Sequence, residues 1–311
     1  MDKDAMRIVT LLPSATEIVC ALGLGDRLVA VSHECDFPER VKSLPKATRS
    51  NISAGLSPIE VDGQVVQTVE EGKALYTVDS DLLAALQPDL IVTQGLCDVC
   101  AVNYKTLQET VKRLPPAMAE AIELVSLEGT SFDQILGDIE RVARATQAEA
   151  TAAQLIQDLR RRWQALRSRR HPARPRVLAL EWPDPPYFGG HWVPEMIAAA
   201  GGIDVMGSVG IDSGRCTWKE ISEQDPDVIL LIACGFGLDR NVEFARQLYS
   251  QPDSAQLRAV SKQRVWACDA NAFFSRPGPR IVDGAEMLQA IFSNGTEKRP
   301  NALRVTGTAA T

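Results

Sequence analysis

Apolar residues recur with a helical period along residues 130–170, a long stretch without proline. Phe132, Ile135, Leu136, Ile139, Val142 and Ala143 fall at i, i+3, i+4, i+7, i+10 and i+11, which is one face of an α-helix. The stripe resumes at Leu155, Ile156, Leu159, Trp163 and Leu166, and the only glycine in the stretch is Gly137. Ser131 with Gln134, or Thr130 with Asp133, supplies a reciprocal N-terminal cap. The arginines at 160–162, 167, 169 and 170 put positive charge at the negative end of the helix dipole, and Pro172 and Pro175 end the run. Two readings fit: one strut joining two lobes, broken near Thr146, or two ordinary helices inside one domain.

On both sides of this stretch, short β-rich runs alternate with helical ones. Strands are predicted at 7–12, 28–32, 90–93 and 122–127, with helices at 15–22, 78–86 and 103–114. Residues 33–76, rich in proline and glycine, read as loop. The alternation restarts with strands at 176–181, 228–232 and 264–268 and helices at 193–200, 218–223, 241–248 and 279–292. Residues 182–192 read as a Pro-, Gly- and aromatic-rich loop. This alternation predicts α/β lobes with largely parallel sheets. The halves echo each other: Leu86-Gln87-Pro88-Asp89-Leu90-Ile91 parallels Gln224-Asp225-Pro226-Asp227-Val228-Ile229, and Leu22-Gly23-Leu24-Gly25-Asp26 parallels Ala200-Gly201-Gly202-Ile203-Asp204. The organisation read from this is an N-terminal lobe at 6–129, a linking helix at 130–172, a C-terminal lobe at 173–293 and a disordered tail at 294–311.

A chain of 311 residues with 45% hydrophobic content is long enough for two cores. The net charge of -7, and a basic cluster explained by a helix end, argue against nucleic acid as a partner. No apolar run is long enough to span a bilayer. Residues 1–7 are short and charged and lead into a strand, not the apolar core of a signal peptide. As written, the chain is expected in the cytoplasm. The seven cysteines lack the spacing of a small secreted scaffold. No G-x-S-x-G, P-loop or H-E-x-x-H is present, so no catalytic constellation is predicted.

Parallel sheets bind ligands at the carboxyl ends of their strands. The loops meeting that rule are 33–35 and 94–100 in the first half and 182–192, 216–218 and 271–276 in the second. They carry most of the aromatics of a chain that is only 5% aromatic: Trp182, Tyr187, Phe188, Trp192, Trp218, Phe273 and Phe274. Tyr187 and Trp218 lie in polar loops and favour a ligand wall, whereas Phe273, Phe274 and Trp266 serve equally well as core. His33, Cys35, Cys97 and Cys100 stand close in this scheme, and Cys97-Asp98-Val99-Cys100 is a C-x-x-C. Three cysteines and a histidine make an acceptable tetrahedral set for zinc or another metal, a redox pair, or a group of small structural residues. The three sulfurs are predicted to gather at the first sheet's carboxyl edge. Cys20, Cys234 and Cys268 lie in apolar runs and read as core. His171 reads as solvated.

The opening Arg7-Ile8-Val9-Thr10-Leu11-Leu12-Pro13-Ser14-Ala15-Thr16-Glu17 resembles the first strand and helix of the helical-backbone substrate-binding proteins of ABC importers. Val31-Ser32-His33-Glu34-Cys35-Asp36-Phe37-Pro38, Pro88-Asp89-Leu90-Ile91 and Arg276-Pro277-Gly278-Pro279-Arg280-Ile281 resemble later landmarks of that family. The resemblance covers residues 7–292 and is greatest to the cobalamin-binding branch. It implies two Rossmann-like lobes joined by a single long helix, with a ligand cleft between them. It also implies a monomeric receptor that performs no chemistry, needs no cofactor and hands its ligand to an ABC permease if exported, which would place it in the periplasm. In the cobalamin branch, aromatics matching Tyr187 and Trp218 contact the corrin and an arginine matching Arg276 binds its polar groups. This chain departs from the branch at Glu34 and Gln94, where those receptors carry aromatics. The ligand set expected is Glu34, Gln94, Tyr187, Trp192, Trp218 and Arg276, around a corrinoid. A siderophore, haem or other metal chelate in the same fold, and a cytoplasmic metal- or thiol-dependent protein built on it, are the alternatives.

Overall fold

The computed structural model describes residues 6–53, 55–95, 102, 104–169, 173–293 and 298–307. The chain is mixed α/β and divides into two compact units. The first takes in the chain up to Gly129 with Asp133–Asp158, and the second takes in Thr130–Phe132 with the chain from Leu159. No helix among the described residues is long and apolar enough to cross a membrane.

The first unit is built on a four-stranded parallel sheet in the order Leu28–Val31, Ile8–Thr10, Leu90–Gln94, Glu123–Leu127. The two central strands are buried along their whole length, as strands covered on both faces must be. Val9, Leu11, Ala30, Leu83, Ile91, Leu107 and Val111 form its core. The segment 33–76, expected to be loop, holds more structure than that. Thr48–Ser50 pairs antiparallel with Tyr76–Val78, and Pro58–Glu70 is a helix. That helix buries none of its residues, so its hydrophobic stripe gave little signal. Its start is marked instead by Ser57 and Glu60, whose carboxylate accepts from the Ser57 N–H at 2.8 Å, half of a capping box.

The second unit is built on a sheet in which Arg176–Pro183, Val228–Leu231 and Val265–Cys268 run parallel. It is extended on one side by the antiparallel strands Pro186–Phe188 and Gly214–Arg215. On the other side lies Ala302–Val305, antiparallel to Val265–Cys268. That last strand corrects the reading of 294–311 as a disordered tail. Ala302 and Val305 are buried, and the Tyr249 hydroxyl donates to the Val305 carbonyl at 2.7 Å. Four residues with one polar-to-apolar alternation are too short for periodicity to show.

The stretch 130–170 is two helices, Phe132–Thr146 and Glu149–Ser168. The break falls at Gln147, which is left-handed (φ 55°). The Ala148 N–H reaches back to the Ala143 carbonyl at 2.8 Å, the closing bond of a Schellman turn. Phe132 belongs to the second unit, where it stacks on Trp163 with ring centroids 4.3 Å apart and donates its N–H to Glu195 at 2.7 Å. Arg162 in the arginine run does more than complement a dipole. It pairs with Asp283 and Glu286 of the helix Ile281–Phe292, which drives its pKa up.

The echoed Pro-Asp turns prove to be the same clamp built twice. In the first unit the Arg7 N–H donates to the Asp89 carboxylate at 2.7 Å, and Arg7 Nε donates to the Leu86 carbonyl at 2.7 Å. In the second, the Arg176 N–H donates to Asp227 at 2.9 Å, and Arg176 Nε donates to the Gln224 carbonyl at 3.1 Å. In both, the aspartate N–H returns a bond to the arginine carbonyl, at 2.9 and 2.8 Å. The residues before the prolines, Gln87 and Asp225, are both left-handed, closing the preceding helix. We expect Asp89→Ala and Asp227→Ala each to lower stability by about 1–2 kcal/mol, through loss of a bond to a strand-opening N–H. Urea midpoints check this; shifts no larger than those of surface controls would contradict it.

Candidate functional site

In each parallel sheet, the strand ends that carry loops of varied chemistry are the carboxyl ends. At this edge of the first unit a chain of small polar groups forms from the first strand, the helix Pro13–Ala21 and the loop after the strand Leu28–Val31. Thr10 Oγ1 lies 2.6 Å from Thr16 Oγ1, which lies 3.0 Å from Cys35 Sγ. Thr10, Thr16 and Cys35 are all buried. Ser14 sits in the same helix as Thr16, 1% exposed, and its hydroxyl has no partner among the described residues.

His33 enters this edge differently. Its N–H donates to Thr48 Oγ1 at 3.1 Å, its Nδ1 lies 2.7 Å from the same oxygen, and Thr48 donates onward to Ser32 Oγ at 3.1 Å. Thr48 has one proton to give, and it goes to Ser32. The network therefore closes when His33 Nδ1 carries its own proton, leaving Nε2 as an acceptor. Burial, and secondarily the nearby Lys46, lower the His33 pKa. Glu34 is exposed and its N–H donates to Ser32 Oγ at 3.3 Å. Gln94 ends its strand almost fully buried. Cys97 and Cys100 lie outside the described residues, as does His171. Of the expected metal set, His33 and Cys35 are described: His33 engages Thr48, and Cys35 engages Thr16. Among the described residues, no three His, Cys, Asp or Glu side chains group as a metal site.

The second unit concentrates aromatics. The strand Arg176–Pro183 turns into Pro186–Phe188, and Tyr187 pairs in register with both Trp182 and Arg215. The Arg215 guanidinium lies 5.3 Å from the Tyr187 ring centroid, and its Nε donates to the Tyr187 hydroxyl at 3.2 Å. Trp182 and Phe236 approach with centroids 5.7 Å apart. Trp182 Nε1 has no partner among the described residues. The strand pairing continues through the Cys216 N–H, which donates to the Pro186 carbonyl at 2.9 Å. This delivers Trp218 to the first turn of the helix Trp218–Gln224. Thr217 and Glu220 fix that turn reciprocally: the Glu220 N–H donates to Thr217 Oγ1 at 3.2 Å, and the Thr217 N–H donates to Glu220 at 2.8 Å, a full capping box. Trp218 and Tyr187 are half-buried.

Trp192, expected among the ligand contacts, takes a different place. Trp192 is a core residue: it is buried, and its Nε1 donates to the Phe274 carbonyl at 2.9 Å. Phe274 and Trp266 are buried as well. Phe273 is half-buried under the Arg280 guanidinium, 5.5 Å from its ring centroid. It can pack there because Gly284 has no side chain; a Cβ at that position would meet the Phe273 carbonyl at 3.0 Å. Arg276 is buried in the loop before the helix Ile281–Phe292. Sequence reasoning missed Arg215 and Phe236. The short strand Gly214–Arg215 carries no periodic signal, and Phe236 was hidden between Gly235 and Gly237.

A family model described as periplasmic binding protein matches residues 8–272. The chain belongs to the periplasmic binding protein family. Family members capture solutes, so the protein is a solute-binding protein and not an enzyme. A curated relative, the vitamin B12-binding protein of Vibrio cholerae serotype O1, is 24% identical over 287 residues, covering 91% of this chain and 88% of that one. The vitamin B12-binding protein of Yersinia pestis is also 24% identical, over 91% of this chain and 85% of its own. Among solved structures, the periplasmic haem-binding protein RhuT from Roseiflexus superposes with a TM-score of 0.70 at 24% identity, covering 93% of this chain and 98% of that one. The periplasmic vitamin B12-binding protein of Vibrio cholerae superposes with a TM-score of 0.67 at 22% identity, covering 93% and 97%. The two likenesses agree on the fold.

The lowered His33 pKa sets a pH dependence for this periplasmic binding protein. A histidine held neutral in the folded state adds stability above the ordinary histidine pKa of 6.5. That stability is lost as pH falls below 6.5 toward the depressed folded value. We expect denaturant midpoints to fall between pH 7.5 and pH 5.5, and His33→Gln to flatten that fall. An identical fall in the variant would contradict the assignment.

Proposed function

We propose that this protein is the substrate-binding component of an ABC importer and that its ligand is a corrinoid of the cobalamin type. The observation that carries the proposal is the grouping of half-buried Tyr187, Trp218 and Trp182 at the carboxyl edge of the second sheet. A broad macrocycle with an apolar rim suits such faces, by offset stacking and large buried area. Arg276 and Arg215 on the neighbouring loops supply donors for the amide carbonyls at a corrinoid's rim. The named relatives from Vibrio and Yersinia support the same ligand class. Glu34 and Gln94 stand at the first sheet's carboxyl edge as polar contacts. Receptors of this family work outside the cytoplasmic membrane, and we place this one there, acting as a monomer with a permease as its partner.

A haem reading draws on one specific feature, the His33 Nε2 left as an acceptor by the Thr48 network, since a neutral imidazole nitrogen is a common axial ligand to iron. The two readings separate in one titration. Purified protein is titrated with cyanocobalamin and with haemin, followed by calorimetry and visible absorbance. A corrinoid dissociation constant of about 1 µM or tighter is expected. The double substitution Tyr187→Ala with Trp218→Ala should weaken it by about tenfold or more. Unchanged affinity in a folded double variant contradicts the site, and binding of haemin alone contradicts the ligand.

A further inference from the structure

We propose that the second unit carries an anion-binding groove at the amino edge of its sheet, and that it takes a phosphate-bearing ligand. The groove lies at the edge opposite the loops assigned to the solute, so it does not rest on the identity of that solute. It has a volume of about 460 Å³ and is lined by Asp227, Arg258, Lys262, Arg264, Trp266, Ile291 and Arg304. Asp227 and Arg264 stand immediately before the parallel strands Val228–Leu231 and Val265–Cys268. Trp266 and Ile291 are buried and give an apolar floor.

The charges in the groove fall into two sets. Arg258 is neutralised: it pairs with Asp227 at 2.8 Å and with Asp225. Lys262, Arg264 and Arg304 have no carboxylate partner among the described residues. In a chain of net charge -7, three unmatched cations on one concave surface run against the overall balance. Arg304 is also oriented. Its Nε donates to the Gln263 carbonyl at 2.7 Å, and that bond leaves its terminal amino groups uncommitted. The turn that presents the carbonyl is fixed by Gln263, which is left-handed (φ 54°), and by the Arg264 N–H, which donates to the Ala259 carbonyl at 2.7 Å. Lys262 and Arg264 flank that same residue.

Two guanidinium groups and an ammonium around a small hollow match the several oxygens and the multiple charge of a phosphate group better than a single carboxylate. Asp225 and Asp227 carry one negative charge more than Arg258 cancels, and Lys262, Arg264 and Arg304 outweigh it, leaving the groove net positive. The phosphate could be free in solution or part of a lipid headgroup; the recognition chemistry is shared.

The test titrates the full-length protein with inorganic pyrophosphate, and separately with vesicles of phosphatidylglycerol against phosphatidylcholine, at about 20 and 200 mM salt. Amide shifts of Gln263, Arg264 and Val265 report where binding occurs. Pyrophosphate binding that moves these amides and weakens with salt supports a free phosphate. Binding of phosphatidylglycerol vesicles alone, with the same amides affected, supports a headgroup. Lys262→Gln with Arg264→Gln should weaken either by about tenfold or more, the loss expected for charge-assisted hydrogen bonds. Absence of both kinds of binding at low salt, or binding that leaves these amides and the double variant unaffected, overturns the proposal. Should the double variant melt early, the amide shifts of the unaltered protein decide alone.

Discussion

The organisation of this protein depends on a small polar clamp made twice. Where the first strand of each sheet begins, an arginine N–H and side chain grip an Asp-containing turn that leads into the neighbouring strand. The bond is reciprocal in backbone and side chain. It therefore fixes the stagger of two parallel strands at their amino ends, where parallel pairing has no hairpin to fix it. From that point Ile8 runs beside Leu90, and Val177 beside Val228. The strands are largely buried, so a slip of one residue would turn buried side chains to the opposite face. Pinning the amino ends also aligns the carboxyl ends, and those ends carry the residues with chemistry to offer.

This constraint explains a division of labour. In the second unit the carboxyl edge is aromatic and half-open, with Tyr187, Trp218 and Trp182 set by the antiparallel extension and a capping box. The amino edge is ionic, with the Asp225, Asp227 and Arg258 network beside unmatched cations. The first unit differs at its carboxyl edge, which carries hydroxyls, a thiol and a neutral histidine. The same scaffold thus presents an apolar wall in one unit and a hydrogen-bonding surface in the other.

Much of the fold was legible in the sequence because its strands are buried runs between strong punctuation. The Pro-Asp echo announced two similar sheets, and Gly23, Gly25, Gly201 and Gly202 marked the helix ends. The break near Thr146 was legible too, although nothing in the composition singles out Gln147 as the left-handed residue. The helix Pro58–Glu70 and the strand Ala302–Val305 were not. The first only half-buries one face, so its stripe is weak, and the second owes its existence to pairing with Val265–Cys268, a partner distant in sequence. At the site, half-exposed aromatics in polar loops were readable as such. Trp192 was not, because only the fold brings the Phe274 carbonyl to its indole N–H. Arg215 became visible only through its register with Tyr187.

The central claim is that the solute is held by the carboxyl-edge loops that the clamps align. Hydrogen exchange of the backbone with and without cyanocobalamin tests it most directly. The account predicts ligand-dependent protection in residues 182–192, 214–218 and 271–276, with no change in 225–227 or 258–264. Protection confined to the amino edge, or none anywhere at saturating ligand, would contradict it.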